Sequence, residues 1–222
     1  MSFKLRFIFF TKTNWNEQPR LRHQLAKSLK KLGHEIVFFQ KPNYFFNKAA
    51  KVNSKEKGIK LAKHKQLINH RLRFNFFFHF LNYLYEKKEI LETCKKFKID
   101  NEDIIINFNY YYFFLRKLFF KNKIVTIIND DFLDKCLFSY RKPFRKVFEK
   151  TIIKSNIVLT VSKKLKEDMS KISNNVKLFL PWTDLEYCKP KKNNKNKIIY
   201  WGYINYRIDF EYLLKLLKKI KS

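Results

Sequence analysis

The sequence predicts an α/β protein built on a doubly wound, Rossmann-like parallel sheet, and three features carry that prediction. Short runs of β-branched and large apolar residues recur, among them "LRFIFF" (5–10), "EIVFF" (35–39), "DIIINF" (103–108), "KIVTII" (123–128) and "NIVLTV" (156–161). They lack the strict apolar/polar alternation of a strand with one wet face, so they read as strands buried on both faces. Stretches of helical period separate them, the pattern of parallel strands joined by helical crossovers.

Taken in order, the first strand leads through the loop 11–19 to a helix expected over 20–32, and Gly33 stands where a helix closes on a left-handed residue. After the strand 35–39 come a basic stretch and a long helix around 71–96, then the strand 103–108. Helices near 111–120, 143–154 and 163–172 alternate with the strands 123–128, 156–161 and "VKLFL" (176–180). Ser162 is placed to cap the helix that follows it, and Glu149, set among lysines in mid-helix, fits an ion-pair face. "PWTDLEYCKPKKNNKNK" (181–197) has the Pro, Asn and Lys composition of a linker. Beyond it, "KIIYW" (197–201), Gly202 and a helical stripe over 207–220 read as the opening of a second α/β unit.

A chain of 222 residues can bury one sizeable core, and 45% hydrophobic with 18% aromatic residues excludes a disordered chain. Its 49 Lys and Arg against 19 Asp and Glu leave a net charge of +30, which attracts phosphate backbones and anionic headgroups. The bland alternative is a joint enrichment in Lys, Asn, Ile and Phe of the kind an AT-rich genome imposes, with solvated lysines spread along the whole chain. Cys94, Cys136 and Cys188 form no CxxC pair, which argues against a zinc site or disulfide framework and fits a reducing compartment. The histidines form no HExxH or HxH pattern, so His64 and His70 read as surface or packing residues. No signal peptide is recognisable, and the most apolar window, 74–85, is too short to span a bilayer, so a cytoplasmic location is expected.

Two places offer chemistry. The loop after the first strand carries Trp15, and the helix it enters opens with Arg20, Arg22 and His23. Ligands of open α/β sheets bind beyond the carboxyl ends of the strands, so this loop would face a ligand, although no GxGxxG is present. Arg20 or Arg22 could hold an anionic acceptor group through its fork of donors, or simply be solvated in a first turn. The second place is "NDDFLD" (129–134), where Asp130 and Asp131 stand at a strand's carboxyl end in a chain short of acids. They could accept hydrogen bonds from sugar hydroxyls, act as a base, or cap a helix.

The order of these segments resembles that of GT-B-fold glycosyltransferases, particularly the retaining group that builds capsules and exopolysaccharides. "RLRHQLAKSLKKLGHEIVFF" resembles the first helix and second strand of the acceptor domain, and "SNIVLTVSKKL" a late strand and helix of it. "FLPWTDLEYC" is similar to the connection between the two domains, with Pro181 and Asp184 matching and Trp182 replacing the usual Asn. "YWGYINYRIDFEYLL" is similar to the start of the donor domain, where Gly202 would lie near the nucleotide diphosphate. The resemblance implies an amino-terminal acceptor-side domain over 1–183, a linker over 184–196, and over 197–222 only the first strand and helix of the donor domain. It implies transfer of a sugar from a nucleotide sugar to a surface-glycan or lipid-linked acceptor, without a bound metal or other cofactor. Trp15, Arg20, Arg22, His23, Asp130 and Asp131 would face the acceptor, and Gly202, Tyr203 and Arg207 the donor. Arg207 reads equally as a salt-bridge partner of Asp209 or Glu211.

A chain truncated in this way is expected to turn over little by itself, unless a separately encoded second half completes the cleft. The rival readings are a non-catalytic, basic peripheral-membrane module on the inner face of the plasma membrane and, less favoured, a single-stranded nucleic-acid binder. Basic residues interleaved with aromatics in 69–88 and 109–123 prompt the first. The net charge prompts the second, but no nucleic-acid-binding motif accompanies it. The apolar stripe of the last helix (Phe210, Leu213, Leu214, Leu217, Ile220) wants a partner in either case.

Overall fold

β1 (Arg6–Phe10) lies in the interior of a seven-stranded parallel sheet of order β4-β2-β1-β6-β7-β8-β9 in the computed structural model of the chain, which describes residues 4–44, 58–67, 76–131, 141–180 and 209–221. The other strands of this sheet are β2 (Glu35–Phe39), β4 (Ile59–Ala62), β6 (Ile104–Asn107), β7 (Ile124–Ile128), β8 (Ile157–Thr160) and β9 (Val176–Leu178). From β1 the chain winds outward through β2 to β4, then returns to lay β6 against the other side of β1 and proceeds to β9. Every pairing is parallel, Phe10 lying opposite Phe39 of β2 on one side and Asn107 of β6 on the other.

The apolar runs have both faces buried, as their composition predicts. Ile8, Phe10, Val37, Phe39 and Ile105 feed one core, shared with Ile90 of α2 (Phe76–Lys96), Leu115 of α3 (Leu115–Leu118), Phe148 of α4 (Arg141–Ile153) and Met169 of α5 (Lys163–Ser170). Phe7, Phe9, Ile36, Phe38 and Ile106 feed the opposite core, onto which α1 (Leu21–Lys31) lays Leu21, Leu25 and Leu29 at four-residue spacing.

Local chemistry sets the ends of the elements. Gly33, at φ +90°, closes α1: its N–H donates to the Lys30 carbonyl and the His34 N–H to that of Leu29, a Schellman closure. The same pair of bonds ends α2, but there a lysine, Lys98, holds the left-handed position at φ 51°. Ser162 caps α5 by accepting the Leu165 N–H at 3.2 Å, and Glu149 pairs with Arg145 one turn back, as their positions suggest.

Two expectations are corrected. Within the basic stretch, where no strand is expected, β4 forms an edge strand of the main sheet, and two-residue β3 (Asn43–Tyr44) and β5 (Lys65–Gln66) pair in a separate small sheet. The helix expected over 111–120 shrinks to α3, because Asn109 turns the backbone: its side chain accepts the Tyr111 N–H and its carbonyl the Tyr112 N–H. The aromatics of 109–123, open to a lipid-surface or a core-filling reading, include Tyr111, Tyr112, Phe114 and Phe119, all of which fill the core.

The chain divides into two compact units, 1–183 and 184–222. The described part of the second is Asp209 and α6 (Phe210–Lys221), on which Phe210, Tyr212 and Leu214 are exposed. The linker, the strand expected at 197–201, Gly202, Tyr203 and Arg207 lie outside the described residues.

Candidate functional site

Between β1 and β6 the winding of the sheet reverses, and at such a switch point the loops leaving the two strands diverge and open a crevice at their carboxyl ends. Here those loops begin with Thr11, Lys12 and Thr13 after β1 and with Phe108, Asn109 and Tyr110 after β6. Both depart from tightly held roots. The Phe108 N–H donates to the Phe10 carbonyl at 2.9 Å, and the Thr11 hydroxyl donates to that of Phe39 at 2.9 Å. The Asn109 N–H binds the Asn107 side chain at 2.8 Å, so two asparagines fold the segment back over the strand end. Across the loops, the Lys12 ammonium sits 4.0 and 3.5 Å from the ring centres of Tyr110 and Tyr111.

Four of the residues singled out in the sequence converge on the start of α1. Arg20 is the exposed N-cap residue, and its N–H donates to His23 Nδ1 at 3.0 Å, so an imidazole provides the returning half of a capping box. The other ring nitrogen of His23 reaches the Asn14 carbonyl at 3.1 Å. Because Nδ1 accepts, Nε2 carries the proton; the ring is neutral and both nitrogens are committed. Burial pushes its pKa below the ordinary value, opposed by the bond to Asn14. Trp15 is buried too, edge-on to Phe38 at 4.9 Å and 5.3 Å from His23, with its N–H on the Gln40 side chain at 2.8 Å through the backbone. Trp15 and His23 thus clamp the loop to the helix.

Arg22 differs from these. It is only 7% exposed, its guanidinium lies 5.5 Å from the Phe108 ring, and no hydrogen bond or ion pair ties it to another described residue. Burial lowers its pKa to about 10, with Arg20 adding to the effect and Glu17 opposing it, so it remains a cation at neutral pH. Two further buried polar atoms at the same edge of the sheet, Thr13 Oγ1 and Asn109 Nδ2, also have no partner among the described residues.

Asp130 and Asp131 stand apart from this group, past the end of β7, half-buried and exposed respectively. Asp134 lies outside the described residues, as do the donor-side candidates. The residues that sequence reasoning passed over are Lys12, Asn107, Asn109 and Tyr110–Tyr111. Their signal was the pair of asparagines two apart directly after an apolar run, which marks a turn at a strand end. Among the described residues no group of His, Cys, Asp and Glu is arranged to hold a metal ion.

Comparison with solved structures places this fold. The chain is similar to the trehalose-6-phosphate protein from E. coli bound with UDP-2-fluoro glucose, with a TM-score of 0.57 and 11% identity over 96% of this chain and 54% of that one. It is also similar to α,α-trehalose-phosphate synthases from Burkholderia vietnamiensis, which is described as UDP-forming, and Burkholderia multivorans. Each has a TM-score of 0.49 and 13% identity, over 76% of this chain and 42% of that one for the first, and 78% and 43% for the second. These are GT-B glycosyltransferases, and the sheet described above is the Rossmann-like α/β fold of that class. The chain spans about half the length of the structures it matches. No protein-family model matches the chain, and no curated protein sequence matches it.

Proposed function

We propose that this chain is the acceptor-side lobe of a GT-B glycosyltransferase that moves a sugar from a nucleotide sugar to a surface-glycan or lipid-linked acceptor, with no metal or other cofactor. The observation that carries the reading is the switch point itself: between β1 and β6, buried polar side chains crowd the carboxyl edge of an otherwise apolar sheet. Buried donors without partners are unfavourable in a fold that has no use for them, whereas a ligand rich in hydroxyl and phosphoryl oxygens satisfies them. In the proposed reaction the acceptor hydroxyl attacks the anomeric carbon and the nucleoside diphosphate leaves. Cations and N–H groups facing the crevice stabilise the charge that develops on the leaving group. Gly202, Tyr203 and Arg207 belong to the donor side of this proposal, and a separately encoded second half is a partner compatible with it.

The test is a transfer assay with the full chain, a panel of labelled nucleotide sugars and a lipid-linked acceptor fraction. Chain-dependent incorporation of label, reduced at least tenfold by Asn109→Ala, is the expected result. Neither incorporation nor nucleotide-sugar binding for any member of the panel would refute the reading.

The peripheral-membrane reading draws on α6, where exposed Phe210, Tyr212 and Leu214 accompany Lys215 and three further lysines in the same helix. Among the described residues no helix is long and apolar enough to cross a membrane. Sedimentation with anionic vesicles, lost as salt rises, is the outcome this second reading predicts; failure to bind at low salt would remove it.

A further inference from the structure

The strand order sets two unlike surfaces side by side at the amino edge of the sheet, the end opposite the crevice. Around the starts of β1, β2 and β6, the carboxylates of Glu35, Asp100, Glu102 and Asp103 line an open recess of about 230 Å³ together with Lys4 and Arg6. Four acids against two bases leave the recess negative in a chain of +30, and Lys60 pairs with Glu35 from the rim at 3.8 Å. Leu5, in its wall, and Leu32, three residues before Glu35, are 41% and 66% exposed.

Before β7 and β8 the sign changes. Lys117, Lys121 and Lys150 are exposed, and half-buried Lys154 has its pKa lowered by burial and then by the charges of Lys117 and Lys150, with no carboxylate opposing them. Arg116 spends its guanidinium on carbonyls, those of Phe120 and Asn122 before β7 at 3.2 and 3.1 Å and that of Lys154 before β8 at 3.1 Å. One side chain thus fixes both loops, and Phe120 and Ile153, 67% and 63% exposed, stand close together among the lysines.

The two halves are joined as one surface, because the Asn122 side chain donates to the carbonyls of Asp100 and Asp103 at 2.7 and 2.8 Å. An anionic membrane or a nucleic acid would suit the lysines and be repelled by the recess beside them. A partner that satisfies both halves carries an acidic and a basic half in the reverse order, each with exposed apolar side chains. The same edge of a second copy, turned about a two-fold axis, has that pattern. At physiological salt the Debye length is about 8 Å, so the remaining charge of the two chains is largely screened and facing acid–base contacts are not. Apolar contact supplies the attraction in such an interface and the charges fix its register.

We propose that the amino edge is a self-complementary interface through which two copies of this chain form a two-fold dimer. The acidic recess with Leu5 and Leu32 of each copy faces the lysines with Phe120 and Ile153 of the other. Both carboxyl edges then point away from the contact and both crevices stay open, so the inference does not depend on the glycosyltransferase reading.

Sedimentation velocity of the full chain, over a concentration series near physiological salt, tests it with two charge-reversed variants. Expected is a monomer–dimer equilibrium that Glu35→Lys/Glu102→Lys and Lys117→Glu/Lys121→Glu each weaken by about tenfold or more. An equimolar mixture of the two variants should associate within about threefold of the parent, because each reversed half then meets a reversed counterpart. Carbodiimide cross-linking of mixed light and heavy isotope-labelled parent reads the same contact without substitution, and should join Asp100 or Glu102 of one copy to Lys117 or Lys121 of the other. The proposal is overturned if the parent sediments as a monomer throughout, if neither reversal weakens association, if the mixture associates no better than each variant alone, or if the cross-links between copies avoid the amino edge. A monomeric parent that sediments with anionic vesicles, and loses this in Lys117→Glu/Lys121→Glu, would assign the basic half to a membrane instead.

Discussion

Two arginines at opposite edges of one sheet have opposite surroundings. At the amino edge Arg6 opens β1, and its Nε and Nη2 grip both oxygens of Asp103, 4% exposed, at 2.6 and 2.7 Å. Nη2 also reaches Asp100 at 3.0 Å and the carbonyl of Lys98 at 2.7 Å. The hydrogen bond to Asp103 raises the pKa of Arg6 against the effect of burial. Nearby, Asn122 donates to the carbonyls of Asp100 and Asp103 at 2.7 and 2.8 Å. At the carboxyl edge Arg22 is more buried and has an aromatic ring in place of all this. At the first edge Nε and Nη2 of Arg6 are spent on holding the fold, and at the second Arg22 Nε, Thr13 Oγ1 and Asn109 Nδ2 have no partner among the described residues. The difference separates architecture from function in a molecule whose cations are too numerous for charge alone to be informative.

If that contrast is right, damage to the amino edge should appear as lost stability. Asp103→Ala strands a partly buried guanidinium and the Asp100 N–H that Asp103 also accepts, at 2.8 Å. It should lower the unfolding free energy by about 3 kcal/mol, the low end for a broken buried pair because Asp100 and the Lys98 carbonyl remain. Urea unfolding measures this; a loss under about 1 kcal/mol would show that the Arg6 cluster is not structural.

The helix closures that frame the same edge should respond in opposite directions. Gly33→Ala forces a Cβ into φ +90°, where space is open but the backbone is strained, and should cost about 1 kcal/mol. Lys98→Gly relieves the same strain at φ 51° and should gain about 0.5 kcal/mol, with Arg6 still on its carbonyl. Equal signs for the two changes would contradict the backbone explanation.

The smallest expected effect is a pH dependence at the carboxyl edge. His23 is depressed below 6.5 by burial, so below that pH the unfolded chain takes up a proton that the folded one resists. Its contribution is therefore constant above about pH 6.5 and is lost as pH falls toward the lower folded value. His23→Gln retains an acceptor for the Arg20 N–H and should flatten the stability curve between pH 7 and pH 5, changing stability at pH 7 by less than about 1 kcal/mol. An unchanged acid limb would remove His23 from the account.

What was legible in the sequence follows from how local the signal is. Strands such as Ile124–Ile128 announce themselves because a parallel strand covered on both faces needs an unbroken apolar run. β4 escaped notice because an edge strand can carry Lys60 outward, so "GIKLAK" reads as part of a basic loop. The crevice was foreseeable as a place, since strand ends locate it, and Arg20 and Arg22 were named together. Their separation into an exposed cap residue and a buried cation depends on Phe108, 86 residues beyond Arg22 and brought in by the β1/β6 pairing, which no local pattern records.

The central claim is that ligands meet this lobe at its carboxyl edge, and backbone amide shift mapping tests it most directly. A nucleotide sugar and a phosphorylated glycan fragment, titrated into the labelled chain, should move Thr11–Trp15, Leu21–His23 and Phe108–Tyr111 while leaving Leu5, Arg6, Glu35 and Asp103 in place. Shifts concentrated on the latter four would put the ligand at the wrong end of the sheet and contradict the account.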